Sequence, residues 1–307
     1  MEAKSKCDIA VIGGGASGLT AAIGALEIRS CNIIIAEKLE KTGRKILATG
    51  NGRCNLGNKN ISHDYYHGSV KNIMKIIKHS PSPEDFFTDL GVICTSDEQG
   101  RIYPHSNSAA SILNALRIRC NTLGAKEICG FNTINIQQTK NGFLIHSENG
   151  DTIECRRIII AAGGYAAPAF GTDGGFTKIL RDMGYKTAKI CPGIAPLRVS
   201  PESVKGLKGV RAKGTVSAIA DGKILKTQHG EIQFTENSLS GICVFNLAHL
   251  YSEYEGRLTV RCDLLPEMDK NKLEEYLCLV QSMRYDCSLE EFLTGIFTKN
   301  LAIYLMK

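Results

Sequence analysis

Three glycines near the start of the chain have the spacing of a pyrophosphate-binding turn. Gly13, Gly15 and Gly18 follow the apolar run 8–12 and precede the helix-favouring run 19–26. The first glycine permits a tight turn, the second lets the backbone approach a phosphate, and the third allows close packing of helix on strand. The unpaired N–H groups and dipole of the helix attract an anion. The candidate residues of this turn are Gly13, Gly15, Ala16, Ser17 and Gly18.

An acidic residue ends the next apolar run. Residues 32–36 predict a second strand, and Glu37 follows it directly, roughly 20 residues beyond the last glycine. Its carboxylate is placed to accept hydrogen bonds from ribose hydroxyls, and it would repel a 2′-phosphate. An exposed carboxylate at a strand end is the alternative interpretation. Strand, glycines, helix, strand and acid in this order predict a dinucleotide-binding βαβ unit.

A second polar segment, rich in glycine, amide and cationic side chains, runs from 41 to 55. A nicotinamide dehydrogenase has no evident need for it, whereas an extended cofactor must have its pyrophosphate, ribityl chain and isoalloxazine held. Glycines let the main chain lie against a ligand, and the cations supply positive charge. A solvated loop face is the alternative. The candidate residues are Arg44, Lys45, Asn51, Gly52, Arg53, Cys54 and Asn55.

Together these motifs resemble the aminoacetone-oxidase/bile-acid-inducible-N type family of FAD-dependent oxidoreductases, within the glutathione-reductase-like flavoproteins. The most specific segment is Thr49-Gly50-Asn51-Gly52-Arg53-Cys54-Asn55. The resemblance continues at Ala162-Gly163-Gly164, where another strand end would meet the cofactor, and at Gly171-Thr172-Asp173-Gly174-Gly175. It spans nearly the whole chain and implies FAD as the cofactor, with Ala162, Gly163 and Gly164 added to the candidate site.

The resemblance and the element pattern imply an α/β fold, with a Rossmann-type three-layer FAD-binding domain and an inserted β-rich plus helical domain. We expect the FAD-binding domain at 1–190, with a small antiparallel insert at about 126–155, the β-rich part at 191–266 and the helical part at 267–307. Two features depart from the family: Glu236-Asn237 stands where a histidine is usual, and no Gly-Glu-x-x-Asp return segment is found. We therefore expect a truncated chain with an incomplete helical part.

The local patterns predict individual elements along the chain. Expected helices are 70–78, 83–90, 109–123, 177–183, 272–283 and 289–305. Expected short strands after the third helix are 126–129, 133–138, 142–147 and 152–155, followed by a separate parallel strand at 158–161.

No residue is identified as a catalytic acid, base or nucleophile. Cys54 is the candidate for a catalytic redox thiol, but it has no sequence-adjacent cysteine partner and nothing local argues for a lowered pKa. A packing role is therefore favoured. His63, His67 and His105 lack metal-ligand spacing, and no metal site is predicted. Flavin chemistry often needs no protein acid, because the cofactor carries the electrons.

We therefore expect an FAD-dependent oxidoreductase acting on an unidentified small organic molecule, such as an amine or an enone, with NAD(P)H as a candidate donor. The alternatives are a truncated, non-catalytic remnant that binds FAD or adenosine weakly, and an NAD-dependent dehydrogenase.

The formal charge of +6 lies in mixed-sign segments without tryptophan, which disfavours nucleic acid as a partner. The twelve scattered cysteines are typical of reduced thiols, and with no bilayer-length apolar run they predict a cytoplasmic protein. The oligomeric state is not predicted.

Overall fold

The computed structural model describes residues 4–66 and 72–307. The chain divides into two compact units, Met1–Ala188 and Lys189–Lys307. No helix in the described ranges is both long enough and apolar enough to cross a bilayer.

The described part of the first unit contains nine strands and five α-helices, besides three short 3-10 helices at Ile46–Gly52, His63–Tyr65 and Pro168–Phe170. The strands are β1 (Lys4–Ile12), β2 (Ile33–Glu37), β3 (Gly57–Asn58), β4 (Cys94–Ser96), β5 (Arg101–Pro104), β6 (Lys126–Cys129), β7 (Thr133–Thr139), β8 (Gly142–Ser147) and β9 (Thr152–Ile160). The helices are α1 (Ala16–Ile28), α2 (Ile73–Lys78), α3 (Pro83–Asp89), α4 (Ala109–Thr122) and α5 (Phe176–Asp182). The start of the helix expected from residue 70 lies outside the described residues.

The six-stranded sheet of this unit has the order β6-β2-β1-β9-β8-β7. The first four of these strands are parallel, and β8 and β7 continue the sheet antiparallel. Residues 33–36 of β2 are all buried, as expected of a parallel strand covered on both faces. Helices α1 and α4 contribute Leu19, Ile23, Ile112 and Leu116 to the core on one face. The predicted Rossmann-type fold is confirmed.

Two strand predictions are wrong in detail. Lys126–Cys129 pairs parallel with β2, so it belongs to the main sheet and not to an antiparallel insert. The strand predicted in two pieces, 152–155 and 158–161, is the single strand β9, although Arg156 and Arg157 interrupt its apolar pattern. It continues because β1 pairs with it on both sides of Arg156, from Lys4↔Thr152 to Cys7↔Cys155 and from Ile9↔Arg157 to Ile12↔Ile160.

The second unit contains a five-stranded antiparallel sheet of order β10-β13-β12-β11-β14. Its strands are β10 (Leu197–Arg198), β11 (Arg211–Ala220), β12 (Lys223–Phe234), β13 (Ser238–Ser240) and β14 (Leu258–Asp263). Its helices are α6 (Ile242–Phe245), α7 (Leu250–Glu253), α8 (Lys270–Met283), α9 (Leu289–Phe292) and α10 (Lys299–Leu305). The single helix expected at 289–305 is wrong, because Gly295 between α9 and α10 has a φ of +95° that an α-helix does not accept.

Candidate functional site

A cavity of about 610 Å³ lies in the first unit, where β1, β2 and β9 end. Its wall includes many of the residues predicted from the sequence: Gly13, Gly15, Ala16, Ser17, Glu37, Arg44, Lys45, Cys54, Asn55, Ala162 and Gly163. The crevice at the carboxyl ends of parallel strands is where open α/β sheets bind ligands. The fold thus brings together segments that are up to 150 residues apart in the chain.

Five of the predicted residues do not line this cavity: Gly18, Asn51, Gly52, Arg53 and Gly164. Gly18 lies beneath the turn, where a Cβ atom would come within 1.9 Å of the Gly13 carbonyl oxygen. The Arg53 guanidinium stacks over the Tyr103 ring, with its Cζ 4.4 Å from the ring centroid. The absence of a side chain at Gly18 therefore allows α1 to pack closely against the glycine turn. The Arg53 cation is held against an aromatic ring.

The glycine turn leaves open space on its cavity side. The Gly13 N–H donates to the Ala36 carbonyl at 2.8 Å. The φ of Gly13 is +102°, and a Cβ there would lie 2.4 Å from the Ala161 carbonyl oxygen. Gly15, the N-cap of α1, has an ordinary φ of −80°; apart from its chain neighbours and the α1 backbone, no described residue has an atom within 4 Å of its Cβ position. The first turn of α1 contains no acidic residue, so its positive end is available to an anion.

Glu37 fixes the turn from the end of β2. One carboxylate oxygen accepts the Gly14 N–H at 2.7 Å, and the other accepts the Leu39 N–H at 2.9 Å. A carboxylate has about four acceptor positions, so Glu37 retains capacity for ribose hydroxyls. That ribose contact remains a prediction, whereas the bonds to the backbone give Glu37 a role that the sequence did not reveal.

The second loop has an unusual backbone. Gly50, Asn51, Gly52 and Cys54 all have positive φ, between +55° and +82°. For Asn51 and Cys54 this region is uncommon, and such residues cluster at ligand-binding sites. The glycines of this loop were a sequence signal for such a backbone, but nothing in the sequence indicated the left-handed conformation of Cys54.

The three cations of this loop have different surroundings. The Lys45 ammonium donates to the Ala166 carbonyl at 2.8 Å, and Arg53 stacks on Tyr103. Arg44 is exposed at the cavity wall, and within the described residues it has no hydrogen-bond or ion-pair partner. Arg44 is therefore the cation of this loop that is most available to a bound phosphate.

The Cys54 thiol has the properties of a packing residue. Its side chain is buried, and burial raises the pKa of the thiol above the ordinary range, against a smaller opposite effect of a hydrogen bond with Thr49. At neutral pH it is therefore a thiol and not a nucleophilic thiolate. His63 and His105 are exposed, and His67 lies outside the described residues. The described residues contain no cluster of side chains that could hold a metal ion.

Sequence reasoning missed one wall of the cavity. This wall is formed by Phe131, Thr133, Phe176, Ile179 and the segment 170–175. The glycines at 171, 174 and 175 were a signal for the last of these, but the aromatic residues gave none. The Thr133 hydroxyl is buried and has no hydrogen-bond partner in the described structure, which is uncommon for a buried polar group.

The residues present fit FAD. Gly15 and the N-terminus of α1 provide the open, positive end that a pyrophosphate needs, and Glu37 lies at the adjacent strand end. Phe131 and Phe176 supply apolar surface, and Thr133 supplies an unsatisfied hydroxyl. The cavity volume is within the range of about 300–1,000 Å³ that is typical of cofactor sites.

Comparison with known proteins agrees with this fit. A family profile described as HI0933-like protein Rossmann domain matches residues 7–278. A 3-dehydro-bile acid delta(4,6)-reductase of Clostridium scindens is 34% identical, over 97% of this chain and 74% of its own length. A ribosomal RNA dihydrouridine synthase of Escherichia coli is 25% identical, over 96% of this chain and 72% of its own length.

Among solved structures, a 3-ketosteroid-delta4-(5alpha)-dehydrogenase of Rhodococcus jostii RHA1 matches with 13% identity and a TM-score of 0.45, over 69% of this chain and 60% of its own. The profile covers most of the chain, and the bile-acid reductase aligns with nearly all of it. The oxidoreductase class and the FAD cofactor predicted from the motifs are thereby confirmed. The chain belongs to the HI0933-like Rossmann-domain family and is an FAD-dependent oxidoreductase.

Proposed function

We propose that this protein reduces a carbon–carbon double bond conjugated with a carbonyl group in a small organic molecule, with NAD(P)H as the electron donor. The observation that carries the proposal is the 34% identity with the bile-acid reductase over nearly the whole chain. A 3-dehydro compound with delta(4,6) unsaturation has its double bonds conjugated with the 3-oxo group. The proposed substrate is thus an enone or dienone.

The more distant relative supports the same reaction class. Its name describes the formation of dihydrouridine, and the double bond that is saturated in uridine is also conjugated with a carbonyl. In this reaction class a hydride adds to a carbon conjugated with the carbonyl (β in an enone, β or δ in a dienone), and a proton from solvent completes the saturation. Two electrons are consumed, and oxidation of NAD(P)H to NAD(P)⁺ supplies them.

The residues of the cavity have separate tasks in this proposal. Gly15 and the α1 N-terminus bind the pyrophosphate, Glu37 accepts hydrogen bonds from the ribose, and Arg44 neutralises phosphate charge. Thr49, Cys54 and Asn55 of the second loop line the cavity and would face the flavin, beside Ala162 and Gly163. When bound, FAD would supply the hydride-transfer chemistry between NAD(P)H and the conjugated double bond. We assign no protein acid to the proton transfer.

We favour a small molecule over RNA as the substrate. The formal charge of +6 is spread through mixed-sign segments, whereas RNA-binding surfaces concentrate their basic residues. The identity with the bile-acid reductase is also higher than that with the RNA-modifying enzyme. The narrower resemblance, to an aminoacetone oxidase or to a bile-acid-inducible enzyme, is resolved in this proposal toward the bile-acid side.

The test uses the purified chain reconstituted with FAD under anaerobic conditions. NADH or NADPH should bleach the visible flavin absorbance, and a 3-oxo-4,6-diene bile acid should restore it with loss of its own ultraviolet absorbance. Reduction of uridine in an rRNA fragment would replace the small-molecule proposal. In a parallel assay in air, oxidation of aminoacetone with reduction of dioxygen to hydrogen peroxide would replace it with the oxidase activity. A chain that retains no FAD would favour the non-catalytic alternative.

A further inference from the structure

The Arg117 side chain of α4 holds a loop residue from two sides. Its Nη2 donates to the Thr42 carbonyl oxygen at 2.6 Å, and its Nε donates to the Thr42 hydroxyl at 2.9 Å. The Thr42 hydroxyl donates in turn to a carboxylate oxygen of Glu127, on β6, at 2.9 Å. Thr42 is only 1% exposed. One buried threonine is thus bound through its backbone and its side chain by elements that are distant in sequence.

This fixed threonine is linked to the glycine turn through the next residue. The Gly43 N–H donates to the Gly14 carbonyl oxygen at 2.7 Å, and the Gly14 N–H donates to Glu37 at 2.7 Å. Gly43 is also packed against α4, since a Cβ atom there would lie 2.1 Å from a methyl carbon of Leu113. The hydrogen bonds therefore form a continuous path from α4 to both the pyrophosphate turn and Glu37.

We propose that Arg117 is a positioning residue for FAD: it holds Thr42 and Gly43 against the pyrophosphate turn without touching the cofactor. Within the described residues, the cavity wall includes Gly43 but neither Arg117 nor Thr42. The inference rests on FAD as the cofactor and is independent of the proposed reductase reaction.

The chemistry of Arg117 suits this task. A planar guanidinium presents several N–H donors in a fixed geometry, so it can reach a carbonyl and a hydroxyl together, whereas a lysine ammonium is a single point charge on a flexible stem. Removal of the guanidinium leaves the Thr42 carbonyl without this donor and frees the loop. The loop order must then be restored when FAD binds, which lowers the affinity.

The test compares two arginines of the same helix. Arg117→Met removes the bonds to Thr42, and the control Arg119→Met removes only an exposed ion pair with Glu27, 2.7 Å long. We expect Arg117→Met to raise the FAD dissociation constant about tenfold, the lower end of what hydrogen bonds to a charged group contribute. Arg119→Met should change it less than twofold. Arg117→Lys should fall between wild type and Arg117→Met.

Two further measurements separate positioning from general stability. Fluorescence titration gives the FAD dissociation constant of the folded protein, and calorimetry of the FAD-free protein gives its thermal midpoint. Thr42→Val removes only the hydroxyl bonds. In the double variant Arg117→Met/Thr42→Val, the fold-increase in the FAD dissociation constant should be smaller than the product of the two single fold-increases, since the residues share one contact.

The proposal fails if Arg117→Met binds FAD as tightly as wild type, or if only the thermal midpoint falls. Independent effects of the Arg117 and Thr42 substitutions would also overturn it. Because every readout is binding or unfolding, a failure of the reductase assay leaves this test unaffected.

Discussion

Alanine substitutions at Gly15 and Gly18 should have different effects. Gly15→Ala should weaken FAD binding, and Gly18→Ala should destabilise the fold. At Gly15 an alanine methyl group meets no atom of the described residues within 4 Å, apart from the neighbouring backbone, and φ has an ordinary value of −80°. At Gly18 the methyl group would lie 1.9 Å from the Gly13 carbonyl oxygen. The first substitution fills only the space that we assign to the pyrophosphate, whereas the second forces α1 away from the turn.

The expected magnitudes follow from these contacts. Gly15→Ala should stabilise the FAD-free protein by about 0.4–1 kcal/mol, because alanine restricts the unfolded chain. Loss of charge-assisted bonds to a phosphate costs about 1.5–3 kcal/mol, so its FAD affinity should fall about 10- to 150-fold. Gly18→Ala should destabilise the fold by about 1–3 kcal/mol through overpacking, which lowers the thermal midpoint by about 2 to 12 °C.

The assay is calorimetry of both FAD-free variants, followed by fluorescence titration with FAD. Gly24→Ala is the matched control, since Gly24 lies farther along α1 and a Cβ atom there also meets no described residue within 4 Å, apart from the helix backbone; it should leave the FAD affinity unchanged. The reasoning is refuted if Gly15→Ala binds FAD like wild type, or if Gly18→Ala unfolds at the wild-type temperature.

Three further predictions concern the surroundings of the cavity. Glu37→Gln leaves one oxygen to accept two backbone N–H groups, so FAD affinity should fall about tenfold in the same titration; unchanged affinity would contradict the role of the carboxylate. Because burial raises its pKa, the Cys54 thiol should react with iodoacetamide more slowly than the exposed Cys278 and accelerate only above the usual thiol range; peptide mass spectrometry across pH would reveal a contrary order. Arg53→Met removes the cation over Tyr103, worth about 0.5–1 kcal/mol, and should speed FAD release in an exchange assay; an unchanged rate would exclude the stacking as a support for the loop.

The βαβ unit could be predicted from the sequence because its signals are local. The apolar runs, the glycines and Glu37 stand in the order in which the chain uses them. The ends of β9 could not be predicted in the same way, because its length is set by pairing with β1. Likewise, no local pattern showed that residues 126–129 form the edge of the main sheet beside β2.

The tertiary supports of the site were beyond sequence reasoning. Arg117 lies 75 residues from Thr42, and an arginine on a helix is ordinarily a surface residue. Phe131 and Phe176 have no special spacing, and only the fold brings them to the same wall. The positive φ of Cys54 depends on the whole loop conformation. Motif spacing therefore indicated many of the residues that line the cavity, whereas the residues that hold them in place have no such signal.

The most direct test of the account is the visible absorption spectrum of the purified 307-residue chain, recorded before and after incubation with FAD and desalting. The account predicts retained flavin absorbance in near-stoichiometric amount, with FAD released on denaturation, and little retention by Gly15→Ala at the same protein concentration. A folded but colourless wild-type chain after this treatment would contradict the cavity of the first unit as an FAD site.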